Sequence, residues 1–185
     1  MNKLTTSLAL VSAMLVAGTT HAIDATDSSR TETGTLNFTG KVVGVTCTIG
    51  QAEGKQIDVA LADALRSNLL ETGKTTGQKA FQIDFTGCQA GDNVALEFDS
   101  TNRNIDSTTG NLKNIAVSNA AKDVQIQVLK EDGKSPIALN TRQTFATKAT
   151  SDTASLKFFA QYYAASNEVS IGAVQSSIGF NLNYN

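Results

Sequence analysis

Few side chains in this sequence are equipped for catalysis or metal binding. The only histidine is His21, and the only cysteines are Cys47 and Cys88. His21 falls in a segment that export would remove, as argued below. The rest of the chain then lacks the base that Ser-His-Asp and Cys-His catalysis require, and the usual imidazole ligand of zinc. Asp99 to Asp106 gathers several oxygen-bearing side chains, a composition that suits calcium. It lacks the glycine at position 6 and the glutamate at position 12 of the helix–loop–helix calcium loop, so a solvated loop is expected. Glu131 and Asp132 are candidates for an acid–base pair, but neighbours in a turn seldom converge on one substrate, and a turn is expected instead. Tyr162 and Tyr163 offer ring surface to a ligand; adjacent strand residues point to opposite faces, so one of them is expected to pack inward. Neither a catalytic nor a metal site is expected, and no cofactor.

The elements that would position these residues begin with a leader. Met1 to Lys3 is a short basic start, Leu8 to Ala17 is an apolar run, and Thr20-His21-Ala22 ends in small residues. That order is a secretory signal peptide. As a membrane span the run is too short, since a bilayer needs about 20 apolar residues. Cleavage is expected after Ala22, which leaves 163 of the 185 residues, enough for one domain with a core. Of 15 basic and 17 acidic residues the leader takes only Lys3. The balance is slightly acidic, and no cluster of Lys and Arg points to nucleic acid as a partner. In an oxidising compartment the even pair Cys47 and Cys88 reads as one disulfide. Free thiols in a metal or redox site are the alternative, without CxxC spacing or a neighbouring histidine to support it.

Beyond the leader, residues 23 to 35 are rich in Ser, Thr and Asp and too polar to fold alone. Short runs of alternating apolar and polar residues follow, separated by turn residues. Strands are expected over Leu36–Thr48, Ile57–Leu61, Ala80–Phe85, Val94–Phe98, Val124–Leu129, Ser155–Ala164 and Ser177–Tyr184. Asp63–Leu70 suits one short helix or an irregular connection. Glu131-Asp132-Gly133-Lys134 is a hairpin signal, because Asp-Gly suits a turn with positive φ. Many short strands with frequent turns predict a single all-β sandwich.

Both ends of the exported chain carry period-two patterns. Gly172, Val174, Ser176, Ile178, Phe180, Leu182 and Tyr184 share one face of a strand, and polar or small residues occupy the other. At the front, Gly34, Leu36, Phe38 and Gly40 share a face. Such a segment could add itself to another molecule's sheet, a mode in which main-chain hydrogen bonds give affinity and alternate side chains fill pockets.

Four blocks resemble the type 1-like fimbrial (pilin) subunits of the chaperone–usher pathway. They are Gly34-Thr-Leu-Asn-Phe-Thr-Gly-Lys-Val-Val before Cys47, Phe81-Gln-Ile-Asp-Phe-Thr-Gly-Cys88, Phe158-Phe-Ala-Gln-Tyr-Tyr-Ala164, and the closing segment from Gly172 to the penultimate Tyr184. The resemblance implies an immunoglobulin-like β-sandwich lacking its final strand, completed by a donor strand from another subunit. It implies a donor extension at 23–35, its pattern running on to about residue 40, with Gly34, Leu36, Phe38 and Gly40 inward. The pilin domain would span 36–185. The groove edge, for chaperone and then donor, would include Gly172, Val174, Ile178, Phe180, Leu182 and Tyr184. Implied partners are a periplasmic chaperone, an outer-membrane usher and other fimbrial subunits. Glu32 shares the face of Leu36, which departs from the family's apolar or small tail.

The expected function is a structural subunit of a surface fimbria that polymerises by donor-strand exchange and supports cell adhesion, exported through the periplasm. A minor adaptor or tip-associated ligand-binding subunit of the same kind of fibre is the alternative. A small exported enzyme is disfavoured by the missing histidine.

Overall fold

Alternating side chains become strands here wherever a neighbouring segment is available to pair. The computed structural model describes residues 35, 37–40, 47–50 and 56–184. The expected signal peptide, Gly34 and Leu36 fall outside them. The chain divides into two units, Met1–Lys41 and Val42–Asn185. In the first, the described residues Thr35 and Asn37 to Gly40 are exposed and form no strand, and Phe38 is 90% exposed.

The described residues of the second unit are all-β apart from one 3-10 turn. Its elements are β1 (Thr48–Ile49), the 3-10 helix Arg66–Leu69, β2 (Thr75–Thr86), β3 (Asn93–Phe98), β4 (Leu112–Lys113), β5 (Val124–Leu129), β6 (Thr144–Lys148), β7 (Thr153–Ala164) and β8 (Phe180–Tyr184). They form two antiparallel sheets of order β1-β2-β7-β5-β4 and β6-β3-β8. The expected all-β class holds, as do the strands at Val94–Phe98, Val124–Leu129 and Ser155–Ala164. The expectation of a strand over Ile57–Leu61 is corrected. The segment is extended in its burial pattern, but no ladder joins it to another strand among the described residues. The short helix in Asp63–Leu70 is the 3-10 turn, and β6 was not foreseen.

The sheets meet through aromatic side chains. Phe158 on β7 packs edge-on against Phe98 of β3 and Phe145 of β6, with ring centroids 5.5 and 5.3 Å apart. Edge-to-face contacts of this kind add to the burial of the rings. Val94, Leu96, Ile83, Phe85 and Leu156 complete a core cluster around them. Cys47 and Cys88 are buried in it and form a disulfide, with Cα atoms 4.4 Å apart. The bond holds the chain just before β1 against the end of β2.

A second, smaller cluster of Leu69, Ala121, Val124, Ala164 and Val169 is joined by Tyr162 and Val174. After β5 the chain reverses through the expected turn. Gly133 has φ of +64°, and Leu129 bridges Pro136 on the return. The Asp132 carboxylate accepts hydrogen bonds from the Ser135 hydroxyl and from the Ser135 and Lys134 amides. Those bonds lower its pKa to about 2.

Candidate functional site

The C-terminal segment reaches further than β8 itself. From Val174 to Tyr184 the even-numbered residues are half-buried and the odd-numbered residues exposed. Ile178, Phe180, Leu182 and Tyr184 rest on the main core cluster, and Val174 on the smaller one. The inward face expected from period two is therefore present, although regular pairing begins only at Phe180 rather than Ser177. Burial raises the Tyr184 phenol above its ordinary pKa.

β8 lies at the edge of its sheet, with β3 on one side. Val94, Leu96 and Phe98 pair with Tyr184, Leu182 and Phe180. The three β3 residues are buried, whereas their β8 partners on the same face are only half-buried. Among the described residues no strand covers the other flank of β8.

Main-chain hydrogen bonds locate the open side. The amide of Ala121 donates to the Ala173 carbonyl, Ile115 to Gln175 and Asp99 to Gly179. The amide of Ala173 donates to the Asn119 carbonyl, that of Gln175 to Asn114 Oδ1, and Asn104 Nδ2 to the Ser177 carbonyl. Every one of these bonds involves an odd-numbered residue of the segment and a partner in the connection after β3. In an extended chain, the amide and carbonyl of one residue point to the same edge, and its neighbours' to the opposite edge. The even residues Val174, Ser176 and Ile178 therefore aim their main-chain groups away from that connection. No partner meets them among the described residues. The Ser176 hydroxyl is likewise buried without a partner.

A second segment has the same character. Ile57, Val59 and Leu61 are half-buried between exposed Asp58 and Ala60, and Ile57 rests on the same core cluster as Ile178 and Phe180. Sequence periodicity marked this run as a strand, and its unpaired state was not foreseen.

Gly172 sits apart from the other expected edge residues. It is exposed, and a Cβ there would collide with the Asn119 carbonyl and the Ala121 amide. Its missing side chain lets the 119–121 and 171–173 segments approach. Of the expected donor residues, Phe38 and Gly40 are exposed, and Gly34 and Leu36 are outside the described residues. The two aspartates of the 99–106 loop close local turns. Asp99 accepts from the Thr101 amide and hydroxyl, and Asp106 from the Thr108 and Thr109 amides.

The family model for the type-1 fimbrial protein, A (FimA), matches residues 61–185. The chain belongs to this family. It is a structural fimbrial subunit, and the matched stretch contains every strand from β2 to β8. The major fimbrial subunit SMF-1 of Stenotrophomonas maltophilia is 36% identical over 159 residues, covering 82% of this chain and 92% of the relative. The F17 fimbrial protein of Escherichia coli is 36% identical over 160 residues, covering 82% and 87%. The fold is similar to that of the P pilus rod subunit PapA, with a TM-score of 0.58 at 18% identity over 75% of this chain and 99% of that one. This is the immunoglobulin-like pilin fold, and a surface fimbrium is where such subunits reside.

Proposed function

We propose that this fimbrial subunit polymerises by strand exchange. The segment from Gly34 to Gly40 of one copy enters the open side of the Val174–Tyr184 segment in the next. Leu36 and Phe38 then cover Ile178, Phe180, Leu182 and Tyr184, and the donor's main chain meets the unpaired groups of Val174, Ser176 and Ile178. Ile57 to Leu61 forms the opposite lip.

The observation that carries this reading is the edge itself, a run of inward apolar side chains with main-chain groups that find no partner among the described residues. An uncovered apolar edge is an aggregation hazard. A periplasmic chaperone covers it first, after the leader ending at Ala22 has directed export, and the donor replaces the chaperone at an outer-membrane usher. The subunit works as mechanical material supporting adhesion, without a reaction of its own.

A melting experiment tests the proposal. A peptide spanning residues 23–40 is added to a subunit lacking its own tail. At a hundredfold excess over Kd, linkage gives about 2.7 kcal/mol, or roughly 5–10 °C for a domain of this size. No shift at saturating peptide would sink the donor assignment.

A further inference from the structure

The exposed large apolar residues are not scattered. Leu65, Leu70, Ile115, Val117 and Ile171 account for all of them in the described part of the second unit. Val117 is 99% exposed and Ile171 is 85% exposed. Their three segments are bound to one another. Arg66 Nε donates to the Val169 carbonyl at 2.6 Å, which ties the 3-10 turn between Leu65 and Leu70 to the approach to Ile171. Asn119 and Gln175 carbonyls accept from Ala173 and Ile115, which ties the Ile115–Val117 loop to the same strand. Beneath them lies the smaller cluster of Leu69, Ala121 and Val169. Neither 114–121 nor 169–184 contains a charged residue, although 17% of the chain is charged.

This surface stands at the Gly172 end of the open edge. Every ladder in both sheets is antiparallel. A donor that follows the same rule points its Gly40 end towards the start of the Val174–Tyr184 segment. Six residues, seven Cα steps, lie between Gly40 and Cys47, which the disulfide makes part of the donor's body. Seven extended steps reach about 25 Å at most. The donor's body is therefore held close to the apolar end.

We propose that the surface formed by Leu65, Leu70, Ile115, Val117 and Ile171 docks the body of the second copy whose donor segment fills the groove. The inference rests on the strand-exchange reading and extends it from the tail to the folded domain. A mainly apolar surface, with the exposed Arg66 tied to the Val169 carbonyl, suits a partner delivered by a tether, because local concentration replaces electrostatic steering. Exposed apolar patches rimmed by polar residues mark such contacts. The joint would then resist bending, which a tail alone would not.

Thiol labelling tests it. Val117→Cys and, separately, Lys134→Cys in the hairpin after β5, outside the five apolar residues, are made in the full chain. Each is labelled with a maleimide in assembled fibre and in subunit saturated with free 23–40 peptide. Val117→Cys is expected to react at least about tenfold more slowly in the fibre, since reaction then requires the joint to open. Lys134→Cys is expected to react alike in both. Equal rates at Val117→Cys, or equal protection of both sites, would overturn the docking surface. Failure of the peptide to bind wild-type subunit would instead overturn the strand-exchange reading. Val117→Asp with Ile171→Asp supplies a second readout. The pair is expected to bind peptide normally yet form fibres that dissociate at lower denaturant concentration, and unchanged fibre stability would contradict the proposal.

Discussion

Leu96 and Leu182 face each other across the β3–β8 ladder, yet Leu96 is wholly buried and Leu182 only half covered. Paired residues on one face of a sheet lie against the same layer of core. The difference therefore arises at the flank: among the described residues, β3 has a strand on each side, and β8 has one. The same contrast repeats at Val94 with Tyr184 and at Phe98 with Phe180. A three-fold repetition along one ladder describes an edge whose inner face is only half covered.

Leu182→Asp is expected to weaken capture by both chaperone and donor. Loss of one leucine's burial costs about 1.5–3 kcal/mol, roughly ten- to a hundredfold in affinity. Titration of the tail-less subunit with 23–40 peptide measures the second effect, and co-purification the first. Unchanged values would remove Leu182 from the groove.

Gly172→Ala is expected to destabilise the subunit by about 1–3 kcal/mol, because the new methyl must displace main chain rather than a flexible side chain. The damage should be local. Hydrogen exchange at the Ala121 and Ala173 amides, which bond across this approach, should accelerate more than exchange in β5. Unchanged exchange at both would show that the approach is not needed.

Asp132 should titrate at about 2 rather than at its ordinary 3.8, because the Ser135 hydroxyl and two amides hold the charged form. A depressed carboxylate contributes stability that is present above its unfolded pKa and is lost as pH falls through the folded value. The turn should thus hold its hydrogen bonds at pH 4 and loosen towards pH 2. A carboxyl NMR titration reads the midpoint directly, and a value near 3.8 would contradict the bonding seen here.

Replacing Cys47 and Cys88 by serine opens a loop of 41 residues. Chain entropy sets the cost at about 4 kcal/mol, which corresponds to a fall of roughly 8–16 °C in Tm for a domain of this size. Calorimetry of the peptide-complemented subunit checks it; a drop of a degree or two would mean that the core already holds these ends together.

Legibility in the sequence tracked whether an element's signal was local. Val124–Leu129 has the same ends in sequence and structure because its apolar residues lie under the core and its neighbours are turn residues. Thr144–Lys148 escaped notice because Phe145 is its one large apolar side chain, among Thr144, Ala146, Thr147 and Lys148. β2 begins at Thr75 rather than Ala80, since polar Thr75 to Lys79 are held by pairing with β7 and not by burial. At the site, period two placed Val174 to Tyr184 correctly on one face. It could not tell which flank was open, because that depends on where the connection after β3 returns. Ile57 to Leu61 shows the same limit from the other side: alternation reports a face, and pairing needs a partner that local sequence does not contain.

Amide hydrogen exchange in the terminal segment tests the open edge most directly. The tail-less subunit is compared with and without saturating 23–40 peptide. The amides of Val174, Ser176 and Ile178, which aim at the unpaired side, are expected to become protected. The amides of Ala173 and Gln175, already bonded to Asn119 and Asn114, are expected to change little. Unaltered exchange at Val174, Ser176 and Ile178 with bound peptide would contradict strand addition at this edge.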